Sequence, residues 1–326
     1  LKSDRLALAF DIGATWIRIG FIRSSGEIIE KIKIETRGDN FEEFEKNILE
    51  GVGLLSKDFF KDLVGIGIGS IGPMDLKKAI LNPPNIKAKN IDLRRIMRKI
   101  AKERPVYLAN DCVAAVIGEY LYGKGRGFEN LVYITLSTGI GGGVIIDGEP
   151  LIGKDGNAHE IGHLVIDRSL GVKCGCGGIG HWEGMCSGSG IPRFTEILYR
   201  SDEKTYKDTI LKEKIFSREL TAKDVYEAYY KNDILAKKVV EECNEIHAAG
   251  TASVINAYDP EIVIFGGSII LNNRWILSEI NNRINKYLIN RKPILEMTDF
   301  GDEIVLIGAG ALVLGEYPKK NRFRIL

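Results

Sequence analysis

Phe10-Asp11-Ile12-Gly13-Ala14-Thr15 and Thr135-Leu136-Ser137-Thr138-Gly139-Ile140-Gly141-Gly142-Gly143 are two small-residue turns standing at matching places in the chain. Leu6 to Asp11 and Trp16 to Ile22 flank the first, and Leu131 to Leu136 and Gly143 to Ile146 flank the second. Short apolar runs bounded by Gly, Ser and Asp read as strands. Ile28 to Glu35 completes a first meander, and Asp147-Gly148 turns a second. Downstream of the first come a helical pattern from Phe41 to Leu63, strand Val64 to Gly69, a helix around Ile91 to Glu103, strand Val106 to Ala109 and helix Cys112 to Tyr122. Downstream of the second come strand His163 to Asp167 and helices Ile191 to Tyr199, Thr221 to Tyr230 and Ile234 to Tyr258. Strand Glu261 to Phe265, helix Arg274 to Ile289, strand Glu303 to Ile307 and a last helix from Ala309 follow. A meander-plus-alternation unit used twice predicts two mixed α/β domains facing one another, with ligands held between them at the strand-to-turn junctions. The expected division is a small N-terminal domain, 1–111, to which the C-terminal helix 309–326 returns, and a larger domain, 112–308.

The 326 residues, 44% of them hydrophobic, are enough for two cores. Lys+Arg number 45 and Asp+Glu 44, a net charge of +1, which argues against nucleic acid or an anionic membrane surface as partner. No run of 18 apolar residues appears, and Leu1 to Arg5 passes into a strand without a signal-peptide pattern, so the expected location is the cytoplasm. Five cysteines, with Cys174 and Cys176 clustered and Cys112, Cys186 and Cys243 scattered, point to thiol or metal use and not to a disulfide framework.

In the first turn Gly13 is free to take positive φ, Thr15 offers a hydroxyl and an amide to an anion, and Asp11 suits hydrated Mg²⁺, with Ala14 between them a further nucleotide-binding candidate. Alone, this is equally an Asx turn. The second turn, with Ser137, Thr138 and Gly139, makes the pair what clasping a polyphosphate requires. Phe265-Gly266-Gly267-Ser268 and Ile307-Gly308-Ala309-Gly310-Ala311 each read as a strand end opening a helix, either to admit a phosphate or base or only for close packing.

Asn110-Asp111 lies between a strand and an apolar helix, so Asp111 is an N-cap by pattern. It is equally placed to accept the proton of an attacking hydroxyl, and the positive helix end favours the ionised form. Ala158-His159-Glu160-Ile161-Gly162-His163 and Cys174 to Glu183 hold three of the four histidines. His163, Cys174, Cys176 and His181 supply two nitrogens and two sulfurs, a structural zinc set, with a metal-free glycine loop as the alternative. Glu160 and Glu183, beside these ligands, are placed to accept hydrogen bonds from adjacent sugar hydroxyls.

Taken together, Asp11-Ile12-Gly13-Ala14-Thr15, Asn110-Asp111, Ser137 to Gly143, Glu160-Ile161-Gly162-His163 and Cys174-Gly175-Cys176-Gly177 through Glu183 resemble the ROK family of repressors, uncharacterised reading frames and sugar kinases. The resemblance spans nearly the whole chain. It implies duplicated ribonuclease-H-like domains of the actin and hexokinase type. It also implies an ATP-dependent kinase with Asp111 as base and Asn110, Glu160, His163 and Glu183 on the sugar. The glycine turns, with Gly266, Gly267 and Gly310, would hold ATP and Mg²⁺. The family usually has a third cysteine where His181 stands, so the zinc set here becomes two His and two Cys. Gly72-Pro73-Met74-Asp75 through Asn82-Pro83-Pro84-Asn85 resembles the loop closing over the sugar, which puts Gly72 and Asn85 on the substrate. The leading expectation is phosphorylation of the 6-hydroxyl of glucose or a related hexose. The alternatives are an N-acetylhexosamine kinase acting on N-acetylmannosamine or N-acetylglucosamine, or a non-catalytic sugar sensor. A DNA-binding repressor is disfavoured, because no helix-turn-helix fits ahead of Leu6. Relatives suggest a homodimer or homotetramer.

Overall fold

Leu6–Ile12 (β1) is buried at all seven positions, the signature of a strand covered on both faces. It pairs antiparallel with Trp16–Arg23 (β2), which pairs with Ile28–Glu35 (β3), whose alternating apolar and charged residues suit a half-exposed edge. On its other side β1 pairs in parallel with Leu63–Ser70 (β4), and β4 in parallel with a later strand, Val106–Asn110. Between these lie helices Phe41–Gly53 (α1) and Leu93–Ala101 (α2) and a small sheet of Met74–Asp75 (β5), Ile80–Leu81 (β6) and Ile91–Asp92 (β7), which makes Val106–Asn110 β8. A computed structural model describes residues 5–83, 85–317 and 320–326, so Pro84 of the sugar-loop segment lies outside the described residues.

Asp111–Tyr122 (α3) leads to a second sheet of Leu131–Leu136 (β9), Ile140–Ile146 (β10), Glu149–Pro150 (β11), Ile262–Gly266 (β12) and Ile294–Met297 (β13). The first sheet runs β3-β2-β1-β4-β8 and the second β11-β10-β9-β12-β13. In each, a three-strand meander is followed on its first strand's free side by two later strands. The predicted α/β duplication is therefore present as two mixed sheets with one strand order. Helices Trp182–Cys186 (α4), Ile191–Ser201 (α5), Lys212–Ser217 (α6), Ala222–Tyr230 (α7), Ile234–Tyr258 (α8), Ser268–Asn272 (α9) and Trp275–Arg283 (α10) fill the interval before β12 and the crossover to β13. The chain falls into two compact units. One comprises Leu1–Tyr133, Gly143–His159 and Thr298–Leu326, and the other Ile134–Gly142 and Glu160–Met297.

Three sequence expectations are corrected. Glu303 to Ile307 is no strand: Gly301–Glu303 is a 3-10 turn and Ile304–Leu314 a helix (α11). Its β-branched run favours a strand locally, but it packs against α3, β1 and β4. An added Cβ on Gly308 would lie 1.8 Å from the Ala114 carbonyl, and one on Gly67 1.8 Å from that of Ala309. Tertiary packing overrides propensity here. His163 to Asp167 is likewise not a strand; Ile161–His163 is a 3-10 turn, and only Val165 bridges, to His181. The helix expected from Phe41 to Leu63 stops at Gly53 and is followed by a 3-10 turn at Lys57–Asp62.

Candidate active site

In the first unit, strand register gathers the candidates at one sheet edge. Ile12 pairs with Ser70 and Ser70 with Asn110, so the three neighbouring parallel strands β1, β4 and β8 end level. The Asp11–Thr15 turn, Gly72 and Asn110-Asp111 all follow from those carboxyl ends, where open α/β sheets bind ligands. Asn110, with extended backbone, is the helix cap: its Oδ1 accepts from Cys112 N at 2.9 Å. Asp111, expected as the cap, is the first helical residue, and its Oδ1 accepts from the same N–H at 2.8 Å.

Asp11 is only 6% exposed, and burial pushes its carboxyl up to about 6. Arg18 opposes that rise. It stands opposite Asp11 in the β1–β2 register, and its Nη1 donates to Asp11 Oδ2 at 2.8 Å. Its Nη2 lies 3.6 Å from Asp302 Oδ2, just ahead of α11. The turn itself is pinned, because Gly13 N donates to the Trp16 carbonyl and the Thr36 hydroxyl to the Gly13 carbonyl. Thr15 is exposed and Ala14 half-buried. Asn85, exposed, shares a surface depression with Ala14, Thr36 and Lys87. Gly72 precedes a cis peptide to Pro73, and Asn157 fastens the next residue, its Oδ1 accepting from Met74 N and its Nδ2 donating to the Met74 carbonyl.

In the second unit the Ser137–Gly139 turn is clasped from three sides. Gly188 N donates to the Ser137 carbonyl at 2.8 Å and Ser189 N to that of Thr138 at 3.1 Å. Ser137 Oγ lies 3.1 Å from Ser268 Oγ, at the start of α9 after Gly266-Gly267. Gly267 has φ +92°, and an added Cβ would fall 2.5 Å from the Leu136 carbonyl, so both the turn and the close approach require glycine there. Glu183 is the third support: its Oε2 accepts from Ile140 N at 3.0 Å. A Cβ on Gly139 would come within 2.6 Å of that oxygen.

His163, Cys174, Cys176 and His181 form a four-donor cluster able to hold a metal ion, with all four donor atoms within 4.8 Å of one another. Cys176 Sγ lies 3.2 Å from His181 Nδ1 and 3.7 Å from His163 Nδ1, and Cys174 Sγ 3.9 Å from His163 Nδ1. A tetrahedral zinc with Zn–S about 2.3 Å and Zn–N about 2.0 Å sets S and N about 3.5 Å apart. The donors therefore fit. A hairpin holds them, with Cys174 N bonded to the Gly178 carbonyl and Gly177 N to that of Cys174. Burial pushes the Cys174 thiol up to about 11, and a bound cation reverses this, since a coordinating thiol is deprotonated. His163 turns its other nitrogen, Nε2, to Glu160 Oε2 at 3.8 Å. Glu160, with its side chain 48% exposed, is lifted above the usual carboxylate range by its partial burial, His163 opposing and Glu183 adding to the rise.

Gly310 is not at a turn. It lies within α11, where an added Cβ would meet Ile22 at 2.6 Å, so its smallness serves helix-on-sheet packing. Sequence reasoning missed Arg18, Asn157 and Ser268. Arg18 alone had a local signal, since a hairpin closed at Gly13 sets residue 18 opposite residue 11.

The family model described as "ROK family" matches residues 7–316. The chain is 39% identical over 318 residues to a glucokinase of Aeropyrum pernix, covering 94% of this chain and 95% of the relative. It is 40% identical over 307 residues to a glucokinase of Pyrobaculum calidifontis, covering 94% of each. Its structure resembles a ROK family glucokinase of Streptomyces griseus solved with glucose and AMPPNP, with TM-score 0.77, 29% identity and coverage of 94% of this chain and 99% of that one.

Proposed function

The chain belongs to the ROK family, and on that premise we propose a glucokinase that moves the γ-phosphate of ATP to the 6-hydroxyl of glucose with Asp111 as general base. ATP-dependent sugar kinase activity, with hexose as acceptor, is the function of this protein. The observation that carries the assignment of roles is the level ending of β1, β4 and β8, which sets a buried carboxylate-bearing turn and Asp111 along one edge.

In the step proposed, Asp111 accepts the proton of the sugar hydroxyl as its oxygen bonds to phosphorus, and the bond from phosphorus to ADP breaks. Two bonds at the α3 start, to Asn110 and Asp111, hold the carboxylate's backbone in place. Asn110, Glu160, His163 and Glu183 orient sugar hydroxyls, and Gly72 and Asn85 are the further sugar contacts in this reading. Thr15, Ser137, Thr138 and Gly139 supply hydroxyls and amides to the phosphates, and Gly266-Gly267 lets the nucleotide approach closely. Mg²⁺, held through Asp11, would neutralise charge between the phosphates. Arg18 leaves Asp11 one oxygen for that task, since Oδ2 is already engaged. Zinc suits the His163, Cys174, Cys176 and His181 cluster, where it would fix the loop carrying Glu183.

The test is ADP release with glucose, mannose, fructose, glucosamine, N-acetylmannosamine and N-acetylglucosamine. Glucose is expected to give the highest kcat/KM. Preference for an acetylated sugar would reassign the substrate, and no turnover with any of them would end the kinase assignment.

A further inference from the structure

Glu183 sits on α4, a helix of only five residues, and its orientation therefore depends on what anchors that single turn. The anchor is the preceding side chain. Trp182 is fully buried, with its indole ring against Gly250 of α8, where an added Cβ would intrude to 2.5 Å. Its Nε1–H donates to Nδ1 of His247, also on α8 and also fully buried, at 3.0 Å. The two rings meet edge to face at 5.9 Å. Trp182 N donates to the Leu164 carbonyl, which ties the same turn to the segment following His163.

His247 is an unexpected core residue. Its Nδ1 must be the unprotonated nitrogen to accept from the indole, so Nε2 carries the hydrogen. That N–H finds no hydrogen-bond partner among the described residues, and neither does the Thr251 hydroxyl one helical turn on. Burial drives the imidazole's pKa down to about 3, so the ring is neutral at any working pH. An apolar side chain would fill the same space without burying an unmatched donor. What the imidazole supplies and an apolar side chain does not is a directional acceptor for Trp182. A stacked or merely packed indole can slide in its plane, whereas one bonded at Nε1 and blocked by Gly250 has a single setting.

We propose that His247 is a positioning residue for the kinase: through the indole of Trp182 it fixes α4, and so holds Glu183, with Oε2 on Ile140 N and Oε1 3.7 Å from Cys174 Sγ, in the setting from which it meets the sugar. This rests on the reading of Glu183 as a sugar ligand. The consequence is that α8, which contributes no residue to that reading of the site, governs sugar affinity.

The test uses His247→Leu, His247→Gln, Glu183→Gln and the double variant His247→Leu/Glu183→Gln, each assayed for glucose KM and kcat and for thermal midpoint. His247→Leu is expected to raise glucose KM about tenfold with kcat changed less than about threefold. His247→Gln, which keeps an acceptor within reach of the indole, is expected to stay within about threefold of the parent KM. Adding His247→Leu to Glu183→Gln should raise KM no further, because the two act through one contact. If the two effects multiply, or if His247→Leu lowers stability while leaving KM unchanged, the pair is core packing and the proposal fails. If His247→Leu does not fold, the Gln variant decides: a thermal midpoint near the parent's with KM raised tenfold would overturn the acceptor argument. Glu183→Gln alone tests the premise, since an unaltered glucose KM there would remove Glu183 from the sugar and not His247 from α4.

Discussion

The two glycine turns occupy equivalent positions in two sheets of identical strand order, yet they are built from opposite resources. The first carries its own charge. Asp11 is buried at the end of β1 and finds its counter-ion, Arg18, directly across the hairpin. The second has only hydroxyls and amides of its own and borrows its carboxylate, Glu183, from 43 residues further along. That carboxylate stands in turn beside Cys174 of the four-donor cluster, and its helix is bonded through Trp182 to α8. The two copies thus share one strand order around their turns and differ in what supports them. A local hairpin holds one, and an assembly of distant segments holds the other.

This contrast can be broken at either end. The largest effect belongs to the edge that carries Asp111. Asp111→Asn is expected to lower kcat by about 10²–10⁴, the range for loss of a general base, with glucose still bound. The helix start should survive, because Asn110 accepts from the same Cys112 N–H. Isothermal titration with glucose alongside turnover would check both halves; retained turnover would remove Asp111 as base.

The assembled turn should be the more sensitive to its remote support. Cys176→Ser is expected to weaken metal binding and glucose affinity each by about 10–100-fold, as loss of a ligand or its supporting contact does elsewhere. Elemental analysis should find zinc in the parent and less in the variant, and the Asp11 half should be untouched, so kcat at saturating glucose changes least. Equal glucose KM in zinc-free and zinc-loaded parent protein would show that the loop holds itself.

The smallest effect concerns stability in the first turn. Because burial raises Asp11 from 3.8 to about 6, the folded chain binds this proton more tightly than the unfolded chain. Its contribution to stability is therefore fully present below about pH 4 and is lost as pH rises through about 6. Asp11→Asn, which has no charge to bury, should be more stable than the parent at pH 8 by about 1–3 kcal/mol and gain less at pH 4. Calorimetry at the two pH values reads the difference. A variant less stable at pH 8 than at pH 4, relative to the parent, would show that the Arg18 pair outweighs desolvation.

The sequence made the local half legible and the assembled half only in part. β1, β2 and β3 follow from short apolar runs bounded by turn residues, and α8 runs from Ile234 to Tyr258 as its pattern predicts. Arg18 was within reach of hairpin arithmetic. The metal cluster could be read because cysteine and histidine are scarce and bunched. The support of Glu183 by Ile140 N, and of α4 by His247, joins residues 43 and 65 apart with no local mark. Ile304–Leu314 shows the same limit from the other side. Its β-branched residues and glycines suit a strand, and only the surfaces of α3 and β4, closed around Gly308 and Gly67, make it a helix. For the same reason Gly310 looked like a turn glycine and proved a packing one.

The most direct test of the account is ADP release with ATP as donor and glucose as sole acceptor. It predicts one ADP for each glucose consumed and none when glucose is omitted. ADP release that does not depend on glucose, or none with glucose at any concentration, would contradict it.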